Sequence, residues 1–208
     1  MPNEASKALH RRLRDPMFRD VYFVGDALDV GAGGDGLSMQ REHWPHLTSV
    51  REWDMPDGDG QTLETIPDDS FDLVHSSHFL EHVRDPLEAL RHQLRVLRPG
   101  GHIVAMIPDE DMYEQGVFPS TFNVDHKTTW TTFKARSWSP VSQSAVILVA
   151  SLGDVVELLK AEKIQEGYDW TAPRIDQTGG AAACAVELVL RKRHAKEILF
   201  GGRVGAAR

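Results

Sequence analysis

Along the chain the apolar positions change period several times, and the changes set out a succession of elements. Residues 4–20 carry Leu9 and Leu13 at helical spacing, with Pro16 ending the helix or starting a turn. A short apolar strand over 26–31 runs into glycines, a helix is predicted over 35–44, and a second strand over 48–53. The segment FDLVHS at 71–76 reads as a third strand, followed by a helix through about residue 97. That helix is clearly punctuated: Asp85 as N-cap, Pro86 in the first turn, an apolar face of Leu87, Leu90, Leu94 and Leu97, and Gly100–Gly101 as the stop. Residues 101–107 read as another buried strand, and 141–151 as a helix ending near Gly153. Two long strands, 154–164 and 184–193, are joined by a polar loop. Apolar strands alternating with helices imply a mostly parallel sheet covered on both faces, here finished by an antiparallel pair.

Composition narrows the class without naming a reaction. The 208 residues suit one domain, with an N-terminal helix (4–20), a core (24–192) and a basic tail (193–208). No apolar run approaches the roughly 20 residues of a membrane helix, and the first residues lack the continuous apolar stretch of a secretory signal. The single cysteine, Cys184, suits a reducing cytoplasm. A net charge of −8 argues against nucleic-acid binding, and the basic run RKRHAK at 191–196 reads as a solvated strand end. Oligomeric state leaves no mark in the sequence.

The first candidate chemistry lies in ALDVGAGGDG, where Gly31, Gly33 and Gly36 satisfy G-x-G-x-x-G. That pattern alone fits dinucleotide enzymes as well as others. The neighbouring acids discriminate. A dinucleotide sets its pyrophosphate at the start of the following helix, but Asp35 stands there and Asp29 lies two residues before the first glycine. A cationic ligand suits such a turn better than an anionic one.

DVGAGGDG resembles motif I of the class I S-adenosylmethionine (SAM)-dependent methyltransferases, of the type 11-like kind. IPDDSFDLVHSSHFLEHVRDP resembles their fourth-strand region, and LRVLRPGGHIVAMIP their helix–turn–fifth-strand segment, so the likeness spans roughly residues 24–108. It implies a Rossmann-like α/β fold, SAM as cofactor and S-adenosylhomocysteine as product. The N-terminal YFVG and the later DQT loosely resemble bacterial members associated with glycan or lipopolysaccharide synthesis.

Carried over by position, the resemblance assigns Asp29, Gly31 and Gly33 to the methionine part of SAM and Asp54 to the ribose, with Glu52 as the alternative. Asp59, Gly60 and Gln61 fall where the family approaches adenine, and Ser76 and His78 line the cofactor. Only four residues separate Asp54 from Asp59, too few for the usual helix and third strand. That strand is expected to be short or absent, with 54–62 wrapping the adenosine directly. The DGDG run in this loop misses calcium-loop spacing.

A rival reading comes from His78, Glu81 and His82, which spell H-x-x-E-H, the inverted zinc-peptidase motif. On a helix the two histidines would share a face and could ligate zinc. Their place directly after a strand argues instead for a turn at the ligand crevice, with no metal and with Glu81 and His82 behind the cofactor. A SAM-binding module without catalysis is the third possibility.

For the methyl acceptor, a small molecule or saccharide, the long polar and aromatic stretch after residue 108 is the natural source of contacts. His126 is the candidate general base and His78 the second, with Asp109, Tyr113, Lys127 and Trp130 positioning substrate.

Overall fold

The computed structural model describes residues 4–203. Its centre is a six-stranded sheet in the order β2-β1-β3-β4-β8-β7. The strands are β1 (Gly25–Val30), β2 (Leu47–Trp53), β3 (Phe71–Ser77), β4 (Leu97–Pro108), β7 (Val156–Ile164) and β8 (Ala185–Lys192). β1 through β4 are mutually parallel, while β8 runs antiparallel to both β4 and β7. Residues 54–70 contribute no strand, so β2 is the edge, as the short 54–62 loop requires.

Neighbouring residues send their side chains to opposite faces of the sheet, as strand geometry demands. Leu28, Val74, Ile103 and Leu190 enter one core, beneath α2 (Pro86–Val96) and α3 (Ala145–Ala150). Ala27, Leu73, Val104 and Val189 enter the other, where Phe18, Phe23 and Trp44 fill the space. Phe23 and Trp44 stack with ring centroids 4.3 Å apart.

Several elements depart from the pattern in the sequence. The helix expected over 4–20 ends at Leu13 (α1, Glu4–Leu13); past Pro16 a separate turn, Phe18–Tyr22, buries Phe18 and Tyr22. The helix expected over 35–44 is a 3₁₀ turn, Leu37–His43, confined between Gly36 and Pro45. Asp85 does cap α2 by accepting from the Glu88 amide. The helix stops at Val96 without using Gly100–Gly101, which lie inside β4; a Cβ on Gly101 would stand 2.8 Å from the Asp72 carbonyl oxygen. In the region expected as a helix over 141–151, Ser142–Ser144 (β6) pairs with Thr129–Thr131 (β5), leaving only α3 helical. The basic run at 191–196 is also structured: Arg191, at the end of β8, pairs with Glu157 and Glu197, and residues Ala195–Phe200 form α4.

A buried chain of polar groups fastens α1 to the sheet. Glu187 on β8 receives Arg12 Nε at 2.9 Å, Arg11 Nη1 at 2.6 Å and Lys160 Nζ at 2.9 Å. Arg12, only 1% exposed, also reaches His75 Nε2 at 3.1 Å, and His75 Nδ1 lies 2.6 Å from Asp29 Oδ1. Burial pushes the Glu187 carboxyl up, but Arg12, Arg11 and Lys160 overcome this and hold it at about 2.

Truncating Arg12 removes one partner of a desolvated ion pair, so Arg12→Ala should lower stability in urea unfolding by about 3 kcal/mol. A loss below about 1 kcal/mol would mean that apolar contacts alone hold α1. The depressed Glu187 pKa gives a signed pH dependence. Its contribution is complete above the unfolded carboxyl value of about 4.3 and disappears as pH falls toward the folded value. Wild type should therefore lose stability more steeply between about pH 5 and about pH 2 than Glu187→Gln does; parallel profiles would count against this ion cluster.

Candidate active site

β2 and β3 flank β1 on opposite sides, so a crevice opens beyond the carboxyl ends of these strands, the usual ligand position in open α/β sheets. Two adjoining cavities occupy it. One, of about 430 Å³, is bordered by Glu4, Asp29, Gly31, Gly33, Asp35 and His78 and by the 176–179 loop. The other, of about 800 Å³, runs from Asp54, Gly60 and Gln61 past Phe79 to His82, Asp125 and Lys127. Both fall within the usual size of small-molecule sites.

Two glycines make the larger cavity possible. A Cβ on Gly31, which has φ +72°, would stand 2.9 Å from the Phe79 ring, and one on Gly60 would stand 2.8 Å from it. Phe79 thus lies against backbone from both loops and leaves the remaining space to a ligand. Sequence reasoning missed this ring; the signal was an aromatic residue immediately after the β3 crevice, opposite two glycines.

The acids of the crevice do more structural work than their positions suggested. Asp29 is buried, taking the Leu37 amide at 2.5 Å and His75 at 2.6 Å. Asp35 does not cap the turn that follows it; it accepts from the amide and hydroxyl of Ser6 at the start of α1. Asp54 accepts from the Gly33 amide at 3.1 Å and the Met55 amide at 2.8 Å while bordering the large cavity. Glu52 turns away to the Ser38 hydroxyl. Asp59 accepts from the Gln61 amide, and Gln61 is occupied with Glu88 and the amides of Arg84 and Asp85, at the start of α2. Ser76 is buried, and it is Ser77 that faces the smaller cavity.

His78 borders both cavities and sits in the left-handed region at φ +55°, its amide bonded to the Met106 carbonyl at 2.8 Å. Strained backbone of this kind gathers at functional sites. Burial disfavours the imidazolium, but Glu81 Oε1 at 3.4 Å and Glu4 outweigh it and raise the His78 pKa. The segment is not a helix: after His78 only Leu80–His82 make a single 3₁₀ turn. The face that H-x-x-E-H needs to pair His78 with His82 is therefore missing, which removes the basis of the zinc-peptidase reading.

The residues expected to hold the acceptor are mostly packed inside. Asp109 is buried against Lys163 Nζ at 2.9 Å, and burial raises its pKa. Trp130 bridges to Asp109, lies in the core and donates to the Thr128 hydroxyl at 3.0 Å. β5 covers the end of β4, and this closure is what buries both. Tyr113 is buried beside the His126 ring, 5.0 Å between centroids. His126 is 6% exposed, with Nδ1 2.7 Å from Glu114 Oε1, and lies behind the large cavity without lining it. Lys127 does border that cavity, as do His82 and Asp125.

Comparison with known proteins agrees with this architecture. A chain from Archaeoglobus fulgidus, described as a SAM-dependent methyltransferase, superimposes with a TM-score of 0.53 at 19% identity, covering 91% of this chain and 94% of that one. The N-methyltransferase NodS of Bradyrhizobium japonicum, solved with S-adenosylhomocysteine, gives 0.55 at 13% identity, covering 92% and 89%. At these identities the likeness is one of fold. An uncharacterized 37.1 kDa protein of transposon TN4556 from Streptomyces fradiae is 46% identical over 87 residues, 42% of this chain and 24% of that protein. The chain spans about a quarter of the length of the curated relatives it matches. The model of a family described as "Methyltransferase domain" matches residues 5–152, well over half of the sequence. With its sheet order and its glycine-lined crevice, the chain belongs to the methyltransferase-domain family.

Proposed function

We propose that the chain is a SAM-dependent methyltransferase acting on a small molecule or saccharide. The observation that carries this reading is the pair of adjoining cavities that meet at Gly31, Gly33 and His78. The smaller is bordered by Glu4, Asp29, Asp35 and Asp176, a field that attracts an ammonium group and repels phosphate. The larger offers Asp54 as acceptor for ribose hydroxyls and the Phe79 ring as a platform for adenine, with Asp59 and the Gly60 backbone at its edge. Gln61 supports this edge by spending its side chain on the start of α2, where its Oε1 accepts from the Arg84 and Asp85 amides.

Bound SAM supplies a methyl group already activated by its sulfonium. The chain's task is then to align the acceptor and shield it from water. His78, at the junction of the cavities, is placed to receive a proton from the acceptor, while Lys127 and Asp125 border the side from which an acceptor enters. This second, polar end of the large cavity favours an enzyme over an inert binding module. A glycan acceptor, with hydroxyls to donate and sugar faces to stack, suits its mixture of acids and rings.

Calorimetry with S-adenosylhomocysteine should give one site per chain, with no measurable heat from NAD; the reverse pattern would end the proposal. Asp54→Ala should weaken S-adenosylhomocysteine binding by about 10- to 100-fold, the loss expected for hydrogen bonds to a charged acceptor. Unchanged affinity would remove Asp54 from the ribose site. Transfer of label from methyl-labelled SAM to a panel of hydroxylated and amino acceptors, repeated with His78→Ala, tests catalysis itself.

A further inference from the structure

Behind the acceptor end of the large cavity, three side chains meet whose arrangement the methyl-transfer reading does not use. Glu81 is 1% exposed, and neither of its carboxylate oxygens has a hydrogen-bond partner among the described residues. Its Oε1 lies 3.7 Å from His82 Nε2 and 3.9 Å from His126 Nε2. One donor atom from each of the three falls within 4.8 Å of the other two. The nearest imidazole nitrogen to Oε1 is His78 Nδ1 at 3.4 Å, on the cofactor side. Two further imidazole nitrogens face the same desolvated oxygen from the acceptor side, where a cation between them would satisfy all three groups.

The far side of each ring tells which cation. His82 Nδ1 lies 2.9 Å from Asp125 Oδ2, and His126 Nδ1 lies 2.7 Å from Glu114 Oε1. A carboxylate on Nδ1 fixes the N–H there and leaves the Nε2 lone pair pointing at Glu81. Histidines that ligate metals are oriented this way, with the second ring nitrogen donating to a carboxylate. The same arrangement occurs here twice, on rings from different parts of the chain. A tetrahedral ion with bonds of about 2.0–2.2 Å places its ligand atoms about 3.4 Å apart, so the two carboxylate–imidazole distances close by a few tenths of an ångström, while the two imidazole nitrogens, within 4.8 Å of each other, swing together as side chains.

We propose that Glu81, His82 and His126 bind one divalent transition-metal ion, with zinc-like preference for two imidazoles and a carboxylate. Three protein ligands leave a coordination position open, as in catalytic metal sites. Of the three, His82 borders the large cavity, so the open position is reached from there. Resting on the methyl-transfer reading, the proposal also names the acceptor's chemistry: an oxygen nucleophile, a hydroxyl that the ion polarises. The hydroxyl proton passes through the cavity to His78, the oxygen bonds to the methyl carbon, and the carbon–sulfur bond breaks with its electron pair kept on sulfur, giving an ether and a neutral thioether.

The test begins with zinc alone. Chelator-treated full-length protein is titrated with Zn²⁺ by calorimetry, and each variant is titrated in parallel with S-adenosylhomocysteine. Wild type should take up one zinc per chain, with at least a hundredfold loss of affinity in His126→Ala and in His82→Ala, whose side chain is part-exposed and least needed by the fold. Retained S-adenosylhomocysteine binding in the variants would establish that they are folded. Substituted Co²⁺ should give the visible bands of a low-symmetry four- or five-coordinate ion. Asp125→Asn and Glu114→Gln should weaken zinc by about 10- to 100-fold. No stoichiometric zinc uptake by protein that binds S-adenosylhomocysteine would overturn the metal site and leave the cofactor reading intact. Equal zinc affinity in wild type and both histidine variants would also overturn it. Zinc uptake without S-adenosylhomocysteine binding would uphold the site and overturn the acceptor role.

Discussion

Arg12 carries its charge almost wholly out of contact with water, and the shape of the crevice follows from how that charge is matched. Glu187 balances it from β8, while the other end of the guanidinium meets His75, which in turn meets Asp29. The relay connects the N-terminal helix, the antiparallel edge of the sheet and the glycine turn. Asp29, held by His75, can grip the Leu37 amide and so fix the path of the loop between Gly31 and Gly36. α1 then brings Glu4 to the rim of the smaller cavity. A glycine turn is permissive by nature, and here its conformation comes from a buried polar relay.

The same economy explains why acids crowd the crevice without making it disordered. Asp35 anchors the start of α1, and Asp54 holds Gly33, so each of these carboxylates ties two segments together while keeping a face on the cavity. The summed negative field persists because few basic groups border the crevice: Arg84 and Lys127 are the cations of the large cavity among the described residues. A phosphate-bearing ligand meets repulsion, whereas an ammonium or a metal cation meets attraction.

Much of the core was legible because strand periodicity and the Asp85–Pro86 cap are local signals. The missing strand after Asp54 was legible too, from a simple shortage of residues. The length of α1 and the nature of the 37–43 turn were less so, since Pro16 and the glycines around position 34 weaken helix over several residues and tertiary packing decides the outcome. The acceptor side was the hardest to read. Asp109, Trp130 and His126 have residue types that suit a binding loop, but β5 pairing with β6 folds that loop onto the end of β4 and buries them. Likewise His126 and Glu81 lie 45 positions apart in the sequence, and no spacing rule announces that they meet. Arg12 and Glu187 are ordinary surface types in a sequence and become central only once the sheet order is known.

A crystal structure of the protein grown with S-adenosylhomocysteine tests the account most directly. It should place the adenine against the Phe79 ring beside Gly60, the ribose on Asp54, and the amino-acid end toward Asp29 and Glu4. Density for the nucleoside elsewhere, or a crevice that admits NAD and leaves S-adenosylhomocysteine in solution, would contradict it.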